Sequence, residues 1–173
     1  MKKTVLTSLF LFIINLVIGQ DNVAVFDAAR KGTLAEANQL LRENPNVFKI
    51  VNTEGFSPLT LACYRNNNEV AKLLIETGCD INQKSSMGTP LMASVVKGNN
   101  EMIQFLALKN ANVNLTDDNG TTALMYAVMF KNKEAVMLLL QKKADKKLKD
   151  NKGKTAFEYA VFSGNEEIIN LLK

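Results

Sequence analysis

The chain has 173 residues, enough for one domain or one short array of repeats, and its formal net charge at pH 7 is +4. Lys2 and Lys3 supply part of that charge, so the sequence that follows them is close to neutral. Histidine is absent, which excludes histidine-dependent catalytic triads and zinc sites with imidazole ligands.

Residues 1–19 have the features of an export signal. Two lysines precede a mostly apolar run over 5–18, and Val17 and Gly19 stand where signal peptidase requires small residues. We therefore expect cleavage after Gly19 and a periplasmic or secreted protein. The apolar run is shorter than the roughly 20 residues that span a bilayer. An uncleaved segment that tethers the chain to a membrane is the alternative.

The first pair of helices is predicted over residues 25–42. Residues 25–32 indicate a short helix that ends in a turn at Gly32, and residues 34–42 indicate a second helix. This pair lacks the Thr-Pro sequence that later pairs contain. Such divergence is typical of a terminal repeat, because one of its faces meets water.

The second pair has clear start and stop signals. Ser57 can cap a helix that begins at Pro58, where a missing N–H costs nothing. Three asparagines at 66–68 end this helix, and a second helix is predicted over 69–76. Gly78 is expected to end it in a left-handed conformation, and residues 79–82 form an extended finger.

The same arrangement continues to the end of the chain. Second helices are predicted over 101–108, 133–141 and 166–172. In the last pair Thr155 and Glu158 have the spacing of a capping box, in which each side chain bonds the other residue's backbone N–H.

The sequence of the first helices recurs with a fixed period. Residues 55–62 (Gly-Phe-Ser-Pro-Leu-Thr-Leu-Ala) are followed by related sequences at 89–94, 120–127 and 153–160. The central apolar residue is Leu59, Leu91, Leu124 and then Phe157, at spacings of 32, 33 and 33. Repetition at this period indicates stacked units, none of which can bury its apolar face alone.

This pattern resembles the ankyrin repeat family over residues 22–173. The resemblance implies an all-α solenoid of about five helix-turn-helix units with short extended fingers, preceded by the signal peptide. The expected domain is 20–173, with units at about 22–51, 52–84, 85–117, 118–150 and 151–173. The family's histidine after Thr-Pro-Leu is replaced by Thr60, Met92, Met125 and Glu158, so its bond between repeats is expected to be absent.

The two cysteines are expected to stay unpaired although export would permit a disulfide. Cys63 lies near the end of one helix, and Cys79 follows the end of the next. Antiparallel helices place these points at opposite ends of the pair. Both cysteines are therefore predicted to be small buried hydrophobic residues.

No group of residues indicates catalysis, a metal or a cofactor. Glycine-rich phosphate-binding loops are absent from the sequence. One glutamate occurs at the start of each second helix, where negative charge suits the helix dipole (Glu69, Glu101, Glu134 and Glu167). Asp117 and Asp118 precede a turn-type Asn-Gly sequence and favour a turn over a metal site. An enzyme that uses these carboxylates or the cysteines is the alternative from another functional class.

A lysine-rich stretch covers 142–154. Arginine is absent from it and aromatic residues are not interleaved, which argues against nucleic acid. A solvated face, an acidic protein partner, and a lipid or polysaccharide surface remain as interpretations.

The resemblance implies that a partner protein docks on the concave surface formed by the fingers and the first helices. Apolar side chains at positions where solvated repeats prefer polar residues favour such an interface. The alternative is that they pack between neighbouring helices. The predicted partner-binding residues are Phe56, Tyr64, Arg65, Val96, Lys97, Met129, Phe130, Lys152, Lys154 and Phe162, centred on Tyr64, Arg65, Met129 and Phe130.

The sequence therefore predicts an exported, monomeric, non-catalytic module that binds another protein, with an acidic partner as one option. No nucleic acid, small-molecule substrate or cofactor is expected.

Overall fold

A computed structural model describes residues 22–86 and 88–173 of the chain. The predicted export signal and its cleavage point lie outside the described residues. Within the described ranges, no helix has the length and apolar character needed to cross a membrane.

The described residues form consecutive pairs of short antiparallel helices. Helix α1 covers residues 22–31, and extended structure in the described ranges is limited to isolated bridges such as Thr116–Thr122. The all-helical prediction is confirmed for these residues. The other helices are α2 (Leu34–Glu43), α3 (Pro58–Tyr64), α4 (Asn68–Glu76), α5 (Pro90–Val96), α6 (Asn100–Leu108), α7 (Ala123–Met129), α8 (Lys133–Gln141), α9 (Ala156–Ser163) and α10 (Glu166–Leu172).

The first helix of each later pair begins at a hydroxyl cap. The side chains of Ser57, Thr89 and Thr122 accept hydrogen bonds from the backbone N–H three residues ahead. The predicted capping box between Thr155 and Glu158 is present. Helices α7 and α9 begin at the same point of the repeat although alanine has replaced proline there, because the threonine cap alone sets the start.

The turns between paired helices adopt left-handed backbone conformations. Asn66, Gly98, Lys131 and Gly164 have φ values of 60°, 66°, 55° and 64°. Lys131 has a Cβ, which makes this conformation cost roughly 1–2 kcal/mol relative to a right-handed one. Gly78 also has a positive φ, 82°, as expected for the residue that ends α4.

The helices stack in two rows that share one core. Helices α3, α5, α7 and α9 pack in sequence on one side, and α6, α8 and α10 pack in sequence on the other. Leu59, Leu91 and Leu124 from the first row are at most 1% exposed. Leu106 and Leu139 from the second row are fully buried. Each unit therefore depends on its neighbours to cover its apolar face.

Cys63 and Cys79 are free and buried, which confirms the prediction that they do not pair. Burial raises the pKa of the Cys63 thiol to about 12. A thiol in this state is protonated at neutral pH and is a poor nucleophile.

Asparagine side chains connect the starts of neighbouring second helices, a feature that the sequence analysis did not anticipate. Asn67 Nδ2 donates to the carbonyl of Gly32 at 2.9 Å. Asn132 Nδ2 donates to Asn100 Oδ1 of the preceding unit at 2.8 Å. The Oδ1 atom of Asn132 also accepts from the backbone N–H of Ala135 and caps its own helix. One amide therefore caps a helix and joins two units, in a fold where the family's histidine is missing.

The repeated glutamates extend this inter-unit network. Glu101 accepts hydrogen bonds from Lys72 at 2.5 Å and from Asn68 at 2.9 Å, both in the preceding unit. The bond from Lys72 is the main cause of a lowered Glu101 pKa. Lys133 Nζ likewise lies 2.9 Å from Glu167 of the following unit. The helix-dipole interpretation is therefore incomplete for Glu101 and Glu167, because their carboxylates also bind the previous unit.

Replacing Asn132 with alanine is expected to lower the free energy of unfolding by about 1–2 kcal/mol, because the helix cap and the inter-unit bond are both lost. Asn132→Ser is the matched control, since serine caps helices about as well but is too short to reach Asn100. Urea unfolding of the three proteins measures both contributions. Equal stability of Asn132→Ser and the unaltered chain would show that the inter-unit bond contributes nothing.

Candidate functional site

A cavity of about 400 Å³ opens on the surface formed by the first helices. It contains five of the predicted partner-binding residues: Phe56, Tyr64, Arg65, Val96 and Phe130. The remaining wall is formed by Arg30, Thr60, Leu61, Ala93 and Tyr126. We call this cavity, with these ten residues, the aromatic groove.

The stacking of the helices brings these residues together. Tyr64 ends α3, Val96 ends α5, and Phe130 directly follows α7. Similar positions in successive units lie side by side because the first helices pack in sequence. Residues about 30 apart in sequence therefore line one side of the molecule.

Two aromatic side chains in the groove remain substantially exposed. Tyr64 is 39% exposed and Phe130 is 54% exposed. The Phe130 ring stacks on Tyr126, with a centroid separation of 6.3 Å and an interplanar angle of 17°. Lys97 Nζ lies 5.1 Å from the centroid of the Tyr64 ring. The side chains have defined neighbours and still present apolar surface to solvent.

The other predicted residues lie outside the wall of the groove. Met129 is 37% exposed but does not line the cavity. Lys97 contacts Tyr64 from the rim. In the last unit, Lys154 Nζ lies 5.6 Å from the ring of Phe162, which is 86% exposed. Lys152 is exposed in the same finger.

Tyr126 is one of the five groove residues that are absent from the predicted set, with Arg30, Thr60, Leu61 and Ala93. Its hydroxyl donates to Asp117 Oδ2 at 2.6 Å, while Asp117 Oδ1 accepts from the backbone N–H groups of Asn119 and Thr121. The turn that contains Asp117 thus holds Tyr126 in place, and the ring of Phe130 stacks on Tyr126. The signal in the sequence was the repeated spacing of nine residues between aspartate and tyrosine, which recurs as Asp150 and Tyr159.

Burial and the contact with Asp117 together shift the pKa of Tyr126. Burial, followed by the hydrogen bond to Asp117, raises the pKa of Tyr126 from 10 to about 12. A raised folded-state pKa adds stability that is fully present below the unfolded value and is lost as pH rises through the folded value.

Comparing the unaltered chain with Tyr126→Phe should reveal this dependence. The stability difference between them is expected to be greatest below pH 10 and to shrink as the pH approaches 12. Urea unfolding across this pH range provides the measurement. Tyr64→Phe is the control, because no carboxylate bonds the Tyr64 hydroxyl among the described residues. A difference for Tyr126→Phe that stays constant with pH would contradict the assignment.

Part of the lysine-rich stretch supports the fold. Lys146 Nζ donates to the carbonyl of Leu172 at 2.9 Å, near the end of α10. Asp150 accepts from the backbone N–H groups of Lys152 and Lys154 and from the hydroxyl of Tyr159. These bonds lower the pKa of Asp150, with the Tyr159 bond as the largest cause.

The described residues contain no cluster of histidine, cysteine, aspartate or glutamate that could hold a metal ion. Asp117, the sequence candidate for such a site, instead binds Tyr126 and the backbone of its own turn. Cys63 is buried with a raised pKa. The surroundings of these groups favour structural roles.

Comparison with known proteins finds a family model that matches residues 25–173 and relatives that match about half of the chain. A family model described as ankyrin repeats (three copies) matches residues 25–117 and 107–173. The ankyrin repeat and SAM domain-containing protein 6 of Rattus norvegicus is 33% identical over 101 residues, which cover 57% of this chain and 11% of that protein.

Two plant proteins show similar matches. The probable E3 ubiquitin-protein ligase XBOS32 of Oryza sativa subsp. japonica is 42% identical over 100 residues, covering 56% of this chain and 20% of that protein. The E3 ubiquitin-protein ligase XBAT33 of Arabidopsis thaliana is 39% identical over 92 residues, which cover 52% of this chain and 18% of that protein. The matched segment is thus a fifth or less of each of these relatives.

Proposed function

Because this chain belongs to the ankyrin repeat family, we propose that it binds a partner protein through the aromatic groove. The observation that carries this proposal is the exposure of Tyr64 and Phe130 around a cavity that also contains Arg30 and Arg65. A few residues carry most of the binding energy in protein interfaces, and tyrosine, tryptophan and arginine are enriched among them.

The groove is suited to recognition because helices hold its walls in place. Tyr64 and Val96 lie within helices, and Phe130 is supported by Tyr126. A pre-formed surface loses little conformational entropy when a partner docks. The partner therefore meets side chains that already have defined positions.

We assign the centre of the interface to Phe56, Tyr64, Arg65, Val96 and Phe130. Lys97 and Met129 lie at its edge. Lys152, Lys154 and Phe162 form a separate region in the last unit, which a long partner could reach along the stack.

The proposed role is non-catalytic, in keeping with the general character of ankyrin repeats. The plant relatives named as E3 ubiquitin-protein ligases share with this chain a segment that is only about a fifth of their length. Similarity over this short segment supports a role in protein recognition. It gives no reason to assign ligase activity to this chain. A monomer without a cofactor suffices for the proposed role.

Export through residues 1–19 is part of the proposal, with membrane tethering as the alternative. N-terminal sequencing of the protein from its native cells separates the two. A chain that begins at Gln20 supports export, whereas one that retains Met1 supports the tether.

Capture of the partner on immobilised protein tests the role of the groove. The Tyr64→Ala/Phe130→Ala double variant should lose a partner that the unaltered chain retains. The matched control is Leu108→Ala/Met137→Ala, which removes two apolar side chains that are 61% and 41% exposed on the second row of helices. Equal capture by the groove variant and the unaltered chain, or loss with the control variant alone, would contradict the proposal.

A further inference from the structure

We infer that the aromatic groove accepts a linear acidic segment of the partner. This segment would place at least one large apolar side chain in the cavity, and its neighbouring carboxylates would pair with Arg65 and Lys97. This inference rests on the proposed function and specifies the chemistry of the partner. Three features of the groove support it: its size, its unneutralised cations and the order of its residues along the stack.

The cavity is small and mostly apolar. Its volume of about 400 Å³ lies at the lower end of the range of binding pockets. Leu61, Ala93 and Val96 contribute carbon atoms to a wall that the rings of Tyr64 and Phe130 complete. Such a space accommodates at least one aromatic or branched aliphatic side chain of a ligand.

Two of the positive charges around the cavity, those of Arg65 and Lys97, lack carboxylate partners among the described residues. Among residues 22–86 and 88–173, the ion pairs formed do not include Arg65 or Lys97. Arg30 lies 3.5 Å from Asp27, so its charge is partly compensated. The carboxylate of Asp117, behind Tyr126, is already bonded by the tyrosine hydroxyl and by backbone N–H groups. Arg65 and Lys97 are therefore available to pair with carboxylates of the ligand.

The cations and the exposed ring follow an order along the stack. The residue before the left-handed turn is Arg65 in the second unit, Lys97 in the third and Phe130 in the fourth. The cationic positions therefore precede the aromatic one from the N-terminal to the C-terminal units. We accordingly place the acidic part of the ligand against Arg65 and Lys97, which directly follow α3 and α5, and its apolar side chain in the cavity beside Phe130.

Both parts of the ligand are required by this arrangement. A polyanion such as a nucleic-acid strand would satisfy Arg65 and Lys97 but would supply no aliphatic or aromatic amino-acid side chain for the cavity. A purely apolar peptide would leave both cations without a carboxylate partner. Neither ligand uses the whole surface.

Selection from a random library of displayed linear peptides, each about a dozen residues long, tests the inference on the purified chain. Enriched peptides should carry an excess of aspartate and glutamate beside phenylalanine, tryptophan or leucine. The affinity of an enriched synthetic peptide should fall by about tenfold or more with Arg65→Glu and with Phe130→Ala. It should also weaken as salt is added, because salt screens the exposed charges.

The charge-matched control is Lys142→Glu, at an exposed lysine that follows α8 and does not line the groove. The affinity of the Lys142→Glu variant for the same peptide should equal that of the unaltered chain. Enrichment of basic or neutral peptides would overturn the inference that the ligand is acidic. If Phe130→Ala abolished the binding of those peptides, the proposed function of the groove would still stand. Peptides that bind both groove variants as well as the unaltered chain would contradict both proposals.

A library that yields no enriched peptide, or a single-stranded oligonucleotide that binds the unaltered chain and resists Phe130→Ala, would overturn the inference. The capture experiment with the double variant then decides the proposed function separately, because a folded partner can occupy the groove without presenting a linear segment.

Discussion

Leu106→Ala will lower the free energy of unfolding by about 2–5 kcal/mol. Leu106 lies in α6, is fully buried, and belongs to the core that continues through the stacked units. Truncation removes apolar contacts and leaves a cavity that neighbouring helices can only partly close. The effect should extend to adjacent units, because each depends on its neighbours for burial. Urea unfolding followed by circular dichroism measures the loss.

Leu108→Ala is the matched control for this substitution. Leu108 occupies the same helix but is 61% exposed, so its truncation should change stability by no more than about 0.5 kcal/mol. Similar stability for the two variants would show that the side chain of Leu106 is not enclosed as described, and the shared core would have to be reconsidered.

Phe130→Ala will weaken partner binding by about 2 kcal/mol or more, which corresponds to roughly 30-fold in the dissociation constant. The side chain is 54% exposed beside a cavity, and this position suits an anchor that becomes buried only in the complex. Stability should fall by less than about 1.5 kcal/mol, the upper value for loss of an aromatic pair such as that with Tyr126. Calorimetry with the captured partner and urea unfolding of the free protein provide the two values.

Met137→Ala is the corresponding control for binding. Met137 is 41% exposed on α8, outside the groove, and its truncation should leave the affinity unchanged. If Phe130→Ala unfolds the protein, the side chain belongs to the core and its assignment to the interface is wrong.

Local signals in the sequence were sufficient to predict most of the helices. The predicted second helices at 133–141 and 166–172 match α8 and α10, because their asparagine caps and apolar periodicity coincide. Helices α4 and α6 begin one residue earlier than predicted, at Asn68 and Asn100, since the preceding asparagine occupies the cap position.

Contacts between units were much harder to predict. The bonds from Asn132 to Asn100 and from Lys72 to Glu101 join residues about 30 apart, and their formation depends on how one unit is placed on the next. The periodic glutamates indicated that a role was repeated in each unit. Periodicity alone could not distinguish a helix-dipole effect from a bond to the preceding unit.

The candidate site could likewise be predicted from the sequence only in part. The repeat period was enough to indicate that Tyr64, Val96 and Phe130 converge, because equivalent positions stack. Met129 was grouped with them but does not line the cavity, since adjacent residues at a helix end point in different directions. The contribution of Tyr126 depends on its bond to Asp117, which is a tertiary contact.

Site-specific photo-crosslinking tests most directly whether this chain recognises a partner through the aromatic groove. A photoreactive phenylalanine analogue at position 64 or 130 should form a crosslink to one partner in native cells, whereas the same analogue at position 108 should not. Crosslinks that form from position 108 and not from the groove would contradict the account.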